Sequence, residues 1–420
     1  LRNREIPKSI RLSGGAANSD VWVQIFADAL QIPIDVVGDK ELGAQGAAMA
    51  AGIAAGIYKD YQEAVSRTVK ITKTIYPRPE YKEIYEKKYA AYREVTNMMK
   101  MAIMGAGAIA NKMAATITKM EKVEAYAIAA RDKERAEVFA GQYGFARAYG
   151  SYEEMLEDPQ VDLVYIATPH SHHYKCVKMC LEAGKNVLCE KSFTVNAEQA
   201  RELFSVAHEK KLFLTEAIWT RYMPSRKMIN DIINSGVIGE VTSLSANLGY
   251  ELSQVKRIWD PKLAGGALLD VGVYLVNFAR MVFGERDAEI HTSAVFKNGV
   301  DMIDNIDMIF PDGKTASMQC NVHGVLNRAG AIFGTKGYIE ITNINNPEKI
   351  TVFNDRYQEI ASYFPPEQIT GYEYEVEACV RALENGALEC EEMPHEETVR
   401  VMEIMDGIRK EWGYEIPVQE

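Results

Sequence analysis

The feature that most restricts the fold is an apolar run that ends on glycines. Lys100-Met101-Ala102-Ile103-Met104 reads as a buried parallel strand, and it runs into Gly105-Ala106-Gly107-Ala108-Ile109-Ala110 at the head of a helix. A GxGxxA sequence carries meaning only between a strand and a helix, which is where this one stands. The first glycine permits the tight turn, the second lets the main chain approach a pyrophosphate, and small Ala110 lets helix and strand pack closely. The helix start adds free amides and partial positive charge. We therefore expect a dinucleotide at Gly105, Gly107, Ala108, Ile109 and Ala110. Apolar runs at residues 125–129, 163–167, 186–189 and 212–214 then alternate with helix-like segments. That rhythm predicts an α/β Rossmann domain, a doubly wound parallel sheet with helices on both faces.

Beyond Arg221 the rhythm changes. Asn298-Gly299 and Asp312-Gly313 punctuate β-rich runs at 306–310 and 315–322, which is hairpin chemistry. An α+β domain with a mostly antiparallel, open sheet is expected. Val376, Cys379, Val380 and Leu383 repeat at helical spacing before Gly386, and another helix is expected over about residues 396–410. Upstream, the character breaks at Asn97-Met98-Met99-Lys100-Met101, where a polar helix gives way to what reads as a fresh start. In that helix Tyr81, Tyr85, Tyr89 and Tyr92 form one aromatic face, expected to be packing. The predicted domains are residues 1–98, 99–221 and 222–420, and no internal repeat is evident.

Composition excludes several classes. A formal net charge of -12 argues against nucleic acid as partner, since affinity for phosphate backbones comes from basic side chains. The six cysteines show no CxxC pair, so reduced core thiols and a cytoplasmic protein are expected. Cys176, Cys180, His172 and His173 lie close in sequence, but the ligand count is poor for zinc and no metal is expected. The chain opens on Leu1-Arg2-Asn3-Arg4-Glu5, so no secretory signal is expected. Residues 43–58 are mostly Ala and Gly, too short and too weakly lipophilic for a membrane span, and are read as a tightly packed helix.

The second strand ends in Ala129-Ala130-Arg131-Asp132, where an NAD-specific enzyme often places an acid for the ribose 2′-hydroxyl. A carboxylate repels a 2′-phosphate and a guanidinium pairs with it, so Arg131 favours NADP, with NAD still possible. The adjacent Asp132, or an Arg131 that is merely exposed near a helix start, leaves the alternative open.

Residues 99–420 resemble the glucose-fructose oxidoreductase / inositol dehydrogenase (Gfo/Idh/MocA) family. The resemblance rests on the glycine turn, Ala167-Thr168-Pro169-His170, Cys189-Glu190-Lys191-Ser192, Glu216-Ala217-Ile218-Trp219-Thr220-Arg221 and the run from Gly265 to Tyr274. The Asp-x-Gly-x-Tyr ending and the Trp-Thr-Arg segment are most similar to its dimeric dihydrodiol dehydrogenase / D-xylose dehydrogenase branch, which uses NADP. This implies hydride transfer between nicotinamide and a sugar, polyol or related diol, and a homodimer. Such a reaction needs a base for the hydroxyl proton, or an acid in reverse. The resemblance assigns that role to Tyr274 with Lys191, whose ammonium is expected to draw the phenol toward neutrality, and with Asp270 orienting substrate or lysine. Thr168, Pro169, His173 and Glu190 are expected to shape the nicotinamide pocket beside Lys191, and Trp219, Arg221, Arg257 and Tyr274 to meet substrate. Taken singly, Glu190-Lys191 also reads as a solvated charge pair and Tyr274 as a core aromatic. Serine at 192 replaces the family's usual proline, and many relatives carry histidine where Tyr274 stands.

The first hundred residues resemble something else. Ser13-Gly14-Gly15-Ala16-Ala17-Asn18-Ser19, then Trp22, Gln24, Ala27-Asp28, Glu41 and the run from Gly43 to Ala48 look like the C-terminal end of FGGY carbohydrate kinases related to xylulokinase. That implies a partial actin-like ATPase fold, with glycines lying against adenosine and with apolar surface left exposed. The alternative function is thus a component of an ATP-dependent sugar kinase, inactive alone because the catalytic domain is missing.

Overall fold

The computed structural model describes residues 7–38, 42–95, 98–284 and 286–417. Leu1 to Glu5, Glu41 and Asn97 lie outside the described residues, as do the side chains of Tyr89 and Tyr92. The chain divides into two compact units, residues 1–97 and 98–420.

The first unit holds β1 (Ile10–Leu12), α1 (Asp20–Leu30), β2 (Ile34–Val37), α2 (Leu42–Ala54), α3 (Tyr61–Thr68), β3 (Ile71–Ile75) and α4 (Lys82–Val95). β1 and β2 run parallel and β3 pairs antiparallel to β2. Ser19 caps α1, and Val23, Ala27, Ile34 and Val36 form a small core. Asp28 is fully buried and is held by the Arg78 guanidinium at 2.6 Å. The helix expected to be tightly packed is α2, and here the structure differs: of its described residues Met49 and Gly52 are buried while all six alanines are exposed. A three-stranded sheet with few neighbours has too little surface to cover that helix.

The second unit begins with the predicted alternation. It runs β4 (Met99–Met104), α5 (Ala108–Ile117), β5 (Val123–Ala129), α6 (Lys133–Tyr143), β6 (Arg147–Tyr149), α7 (Tyr152–Leu156), β7 (Leu163–Ile166), α8 (His170–Glu182), β8 (Asn186–Glu190), α9 (Ala197–Lys210) and β9 (Leu214–Ala217). The six strands lie in the order β6-β5-β4-β7-β8-β9, all parallel. Strand order reverses between β4 and β7, so the turns after those two strands open the crevice where such sheets bind ligands. Ile103, Leu163, Val187 and Leu188 are fully buried, as continuous apolar strands covered on both faces require.

Next come α10 (Pro224–Asn234), β10 (Val241–Gly249), α11 (Val273–Phe283), β11 (Glu289–Lys297), β12 (Val300–Ile309), β13 (Thr315–Asn321), β14 (Gly330–Gly334), β15 (Gly337–Thr342), β16 (Lys349–Asn354), β17 (Glu359–Tyr363), α12 (Glu373–Glu384) and α13 (His395–Glu411). The eight-stranded sheet has the order β11-β12-β13-β10-β14-β15-β16-β17. Both Asn-Gly and Asp-Gly turns close antiparallel hairpins, but the β10–β13 pair is parallel. The hairpins are local and readable, whereas β10 pairs with a strand some seventy residues on, after a long excursion through α11. That excursion contains Pro261–Phe283, apolar enough to pass for a membrane span, with 89% of the tested window buried inside the fold.

Truncating Ile103 to alanine leaves a cavity in the central strand and is expected to destabilise the second unit by about 2–5 kcal/mol. Three of the four tryptophans, Trp219, Trp259 and Trp412, lie in that unit, so urea unfolding followed by their fluorescence reads the loss.

Candidate active site

The glycine turn is shaped for close approach. Gly105 has φ +101°, and a β-carbon there would sit 3.0 Å from the Ala167 carbonyl oxygen, so the turns after β4 and β7 touch. Gly107 caps α5 without any side-chain acceptor, and Ala108 at the helix start is exposed, which leaves the first amides free for an anion. Arg135 of α6 donates to the Ala106 carbonyl at 2.6 Å and braces the turn, a contact the sequence did not reveal although Arg135 stands one helical turn after Arg131. Asp132 accepts the Glu134 and Arg135 amides as the N-cap of α6, so its carboxylate is occupied. Arg131 is exposed and makes no hydrogen bond or ion pair among the described residues.

The turn after β7 is pinned by a histidine. Pro169 caps α8, and His173, fully buried, places one ring nitrogen 2.9 Å from the Thr168 carbonyl and the other 2.8 Å from the Ser192 carbonyl. Burial pushes its pKa down to about 4, so the neutral ring donates to one of the two oxygens. His173 thereby ties the β7 turn to the segment after β8. The Lys191-Ser192 peptide is cis, and the Ser192 hydroxyl donates to the Leu269 carbonyl at 2.8 Å.

Lys191, at the end of β8, reaches the segment before α11. Its Nζ donates to the Asp270 carbonyl at 2.6 Å, lies 3.6 Å from the Asp270 carboxylate, and stands 4.9 Å from the centre of the Tyr274 ring. Asp270 sits in a π-helical turn, Leu268–Gly272, that leads directly into α11. Arg257 donates to Asp270 Oδ1 at 2.8 Å, and His170 Nε2 approaches the same oxygen at 4.0 Å. Burial opposes charge on Asp270, yet Lys191 and Arg257 hold its carboxyl well below the usual range. The His170 ring is driven the other way, down to about 3, by burial and by the Arg257 charge. Lys191, Asp270, Arg257 and Tyr274 are thus brought together, and His170, to which sequence reasoning gave no role, joins them.

Tyr274 departs from expectation. Burial, with the Tyr372, Glu190, Asp270 and Glu375 side chains nearby, raises its pKa well above that of a free phenol. Lys191 faces the ring and gives its hydrogen bond to a carbonyl, so it does not outweigh the carboxylates. Glu190 is buried, accepting from the Tyr165 hydroxyl and from the Lys191 amide at 3.1 Å. It is therefore no solvated charge.

Trp219 stacks on Tyr372 with ring centres 4.3 Å apart, and its Nε1 donates to Asn345 Oδ1 at 3.1 Å; Asn345 in turn donates to the Tyr250 hydroxyl. Tyr250, Asn345 and Tyr372 were missed because Tyr372 precedes a helix whose period reads as packing and the other two stand alone in sequence. Arg221 is a correction: its guanidinium is buried on Glu397 and Asn277, and Glu397 also binds Arg280 at 2.6 Å. A cation so engaged and nine-tenths buried ties the turn ahead of α10 to α11 and α13 and is unavailable to substrate.

A doubly wound sheet with an uncapped glycine turn at its switch point defines a dinucleotide-binding protein. Family models agree: residues 99–217 match the oxidoreductase family with an NAD-binding Rossmann fold, residues 227–340 match the GFO/IDH/MocA C-terminal domain, and residues 2–55 match the C-terminal domain of the FGGY family of carbohydrate kinases. The chain is 34% identical over 333 residues to trans-1,2-dihydrobenzene-1,2-diol dehydrogenase of Mus musculus, covering 76% of this chain and 98% of that one. With the Xenopus tropicalis enzyme of the same name it shares 35% over 327 residues, 76% and 99% of the two chains. A solved structure of a 3-ketoreductase from Actinomadura kijaniata with NADP and TDP-benzene superimposes with a TM-score of 0.68 at 25% identity, over 75% of this chain and 98% of that one. The chain belongs to the GFO/IDH/MocA oxidoreductase family and is an NAD(P)-dependent oxidoreductase; the kinase alternative is not favoured.

Replacing Gly105 by alanine strains a left-handed backbone and presses on the Ala167 carbonyl. Affinity for the reduced cofactor, measured by fluorescence titration, is expected to fall about tenfold or more, roughly 1.4 kcal/mol.

Proposed function

We propose that the second unit is an NADP-dependent dehydrogenase of a sugar, polyol or related diol, with Tyr274 as proton donor and acceptor and Lys191 as its charged neighbour. The observation that carries this reading is the Lys191 ammonium, held on the Asp270 carbonyl at 2.6 Å and 4.9 Å from the Tyr274 ring. Bound nicotinamide supplies or accepts the hydride at its C4 carbon. Tyr274, a phenol through neutral pH, gives its proton to the alkoxide formed on reduction, and its phenolate form takes the hydroxyl proton on oxidation. Asp270, kept anionic, fixes Lys191 and Arg257, and Arg257, partly exposed, remains available to substrate. Trp219 with Tyr372 offers a stacking wall for the substrate ring or carbon chain.

Two observations favour NADP. Arg131 is free and exposed while the neighbouring carboxylate is committed to a helix cap, and the ketoreductase structures contain NADP. The substrate class rests on the diol dehydrogenases among the relatives. We also read the chain as a homodimer; exposed Val295, Phe296, Ile309, Tyr363 and Phe364, in or beside the large sheet, support that reading.

The test is NADPH formation across pentoses, hexoses, inositols and diols. Tyr274→Phe is expected to lower turnover about 100-fold or more, and unchanged turnover removes the assignment. Because the phenol's pKa is raised, oxidation should accelerate and reduction should slow as pH increases from about 6 to about 8. Arg131→Ala should weaken NADPH about tenfold or more while NADH changes by less than about twofold, read by the same titration.

A further inference from the structure

A pair of buried acids lies behind the turn that carries Asp270. Asp301 and Asp304 stand three apart in β12, which in a regular strand sends side chains to opposite faces. β12 is not regular: β11 pairs Val295 with Ile303 and Phe296 with Asp301, so Met302 is an extra residue, a bulge that re-aims Asp301. Both carboxyls end up buried, Asp301 at 2% exposure and Asp304 at 0%.

Their contacts divide the labour. Asp301 Oδ2 accepts the Leu268 amide at 2.6 Å, the first residue of the π-helical turn. The approach is tight: a β-carbon on Gly266, which has φ +113°, would fall 2.2 Å from Asp301 Oδ1. Asp304 Oδ2 accepts the Cys320 thiol at 3.1 Å, and Cys320 Sγ also lies 3.2 Å from the β-carbon position of Gly272, the last residue of the turn. Asp304 Oδ1 is buried without a hydrogen-bond partner, an environment that penalises a carboxylate oxygen far more than a hydroxyl. The facing groups from other elements are Cys320 of β13, Arg409 of α13 with its partner Asp406, and Tyr414; burial raises the Asp301 carboxyl, and the Leu268 amide, Asp304 and the Arg409 cation work against that and favour charge on it. Burial and the Asp301 charge push the Asp304 carboxyl up to about 9, and burial pushes the Cys320 thiol up as well.

We propose that Asp301 and Asp304 are positioning residues of the oxidoreductase site: Asp304 keeps a proton so that Asp301 can remain an anion, hold the Leu268 amide and fix the turn that presents the Asp270 carbonyl to Lys191. This rests on the functional reading above for its catalytic consequence, while the clamp itself is a statement about the turn. With Asp304 protonated and Asp301 ionised, one negative charge resides on the pair. As pH rises through about 9 the second carboxyl ionises, the two repel inside the fold, and the turn loosens.

The experiment compares Asp301→Ala, Asp301→Asn, Asp304→Ala and Asp304→Asn in the full chain, by turnover against pH and by hydrogen exchange at the Leu268 amide. Asp301→Ala should lower kcat about tenfold or more, with the KM for cofactor within about twofold, because a shift of the turn misplaces Lys191 without touching the glycine loop. Leu268 should exchange about 100-fold faster in the same protein. Asp304→Asn, which keeps a neutral donor, should recover the turnover lost in Asp304→Ala and should shift the alkaline fall in kcat above that of the wild type. If Asp301→Ala fails to fold, Asp301→Asn, of the same shape, carries the comparison of Leu268 exchange. Unchanged protection of Leu268 in both Asp301 variants overturns the clamp, and superimposable pH profiles of wild type and Asp304→Asn overturn the shared proton. Full turnover by Tyr274→Phe alongside lost Leu268 protection would instead overturn the site reading and leave the clamp standing.

Discussion

The structure around the site depends on one charge contact, the Lys191 ammonium against Asp270. Lys191 is brought by a parallel strand end of the nucleotide-binding sheet and Asp270 by the π-helical turn ahead of α11, so the contact joins two segments far apart in the chain. A lysine side chain with 13% exposure needs partners, because desolvating an ammonium costs several kcal/mol before any attraction is counted. The Asp270 carbonyl and carboxylate supply them, and Arg257 keeps the carboxylate ionised. With both positions fixed, the Tyr274 ring has a defined charge over its face.

The surrounding polar groups serve that geometry. His173 links the carbonyls of Thr168 and Ser192, and the Ser192 hydroxyl reaches Leu269, so the turn after β7, the segment after β8 and the π-helical turn form one hydrogen-bonded unit. Arg221 and Arg280, converging on Glu397, tie the turn ahead of α10 and α11 to α13. Each of these groups has a hydrogen-bond or ion-pair partner as it leaves water, which is how polar residues persist in a core. The bulge at Met302 belongs to the same scheme, since it supplies an acceptor to a turn whose amide would otherwise be buried without one.

Much of this was legible. The turn at Gly105 could be read directly because its chemistry is backbone chemistry between a strand and a helix, all within about ten residues. Lys191, Asp270 and Tyr274 were legible through motifs, although nothing in their spacing says that they meet. Other features were not legible, for nonlocal reasons. The Tyr274 phenol was expected near neutrality, and burial with four side chains from three separate segments raises it instead. Arg221 sits beside Trp219 in sequence but turns to Glu397, which is 176 residues away. Asp301 and Asp304 look like opposite faces of a strand until the pairing with β11 shows the extra residue.

The sequence by itself determined the order of strands and helices, the glycine turn with its free amides, the hairpins at Asn298 and Asp312, and the kinase-like character of the first hundred residues. These follow from local periodicity and from what glycine permits. The tertiary structure alone decided the parallel pairing of β10 with β13, the convergence of Lys191 on Asp270, the neutral phenol at Tyr274 and the commitment of Arg221 to the core. Those depend on burial and on partners far apart in the chain, because the cost of a charge or an unpaired oxygen is set by the packed environment.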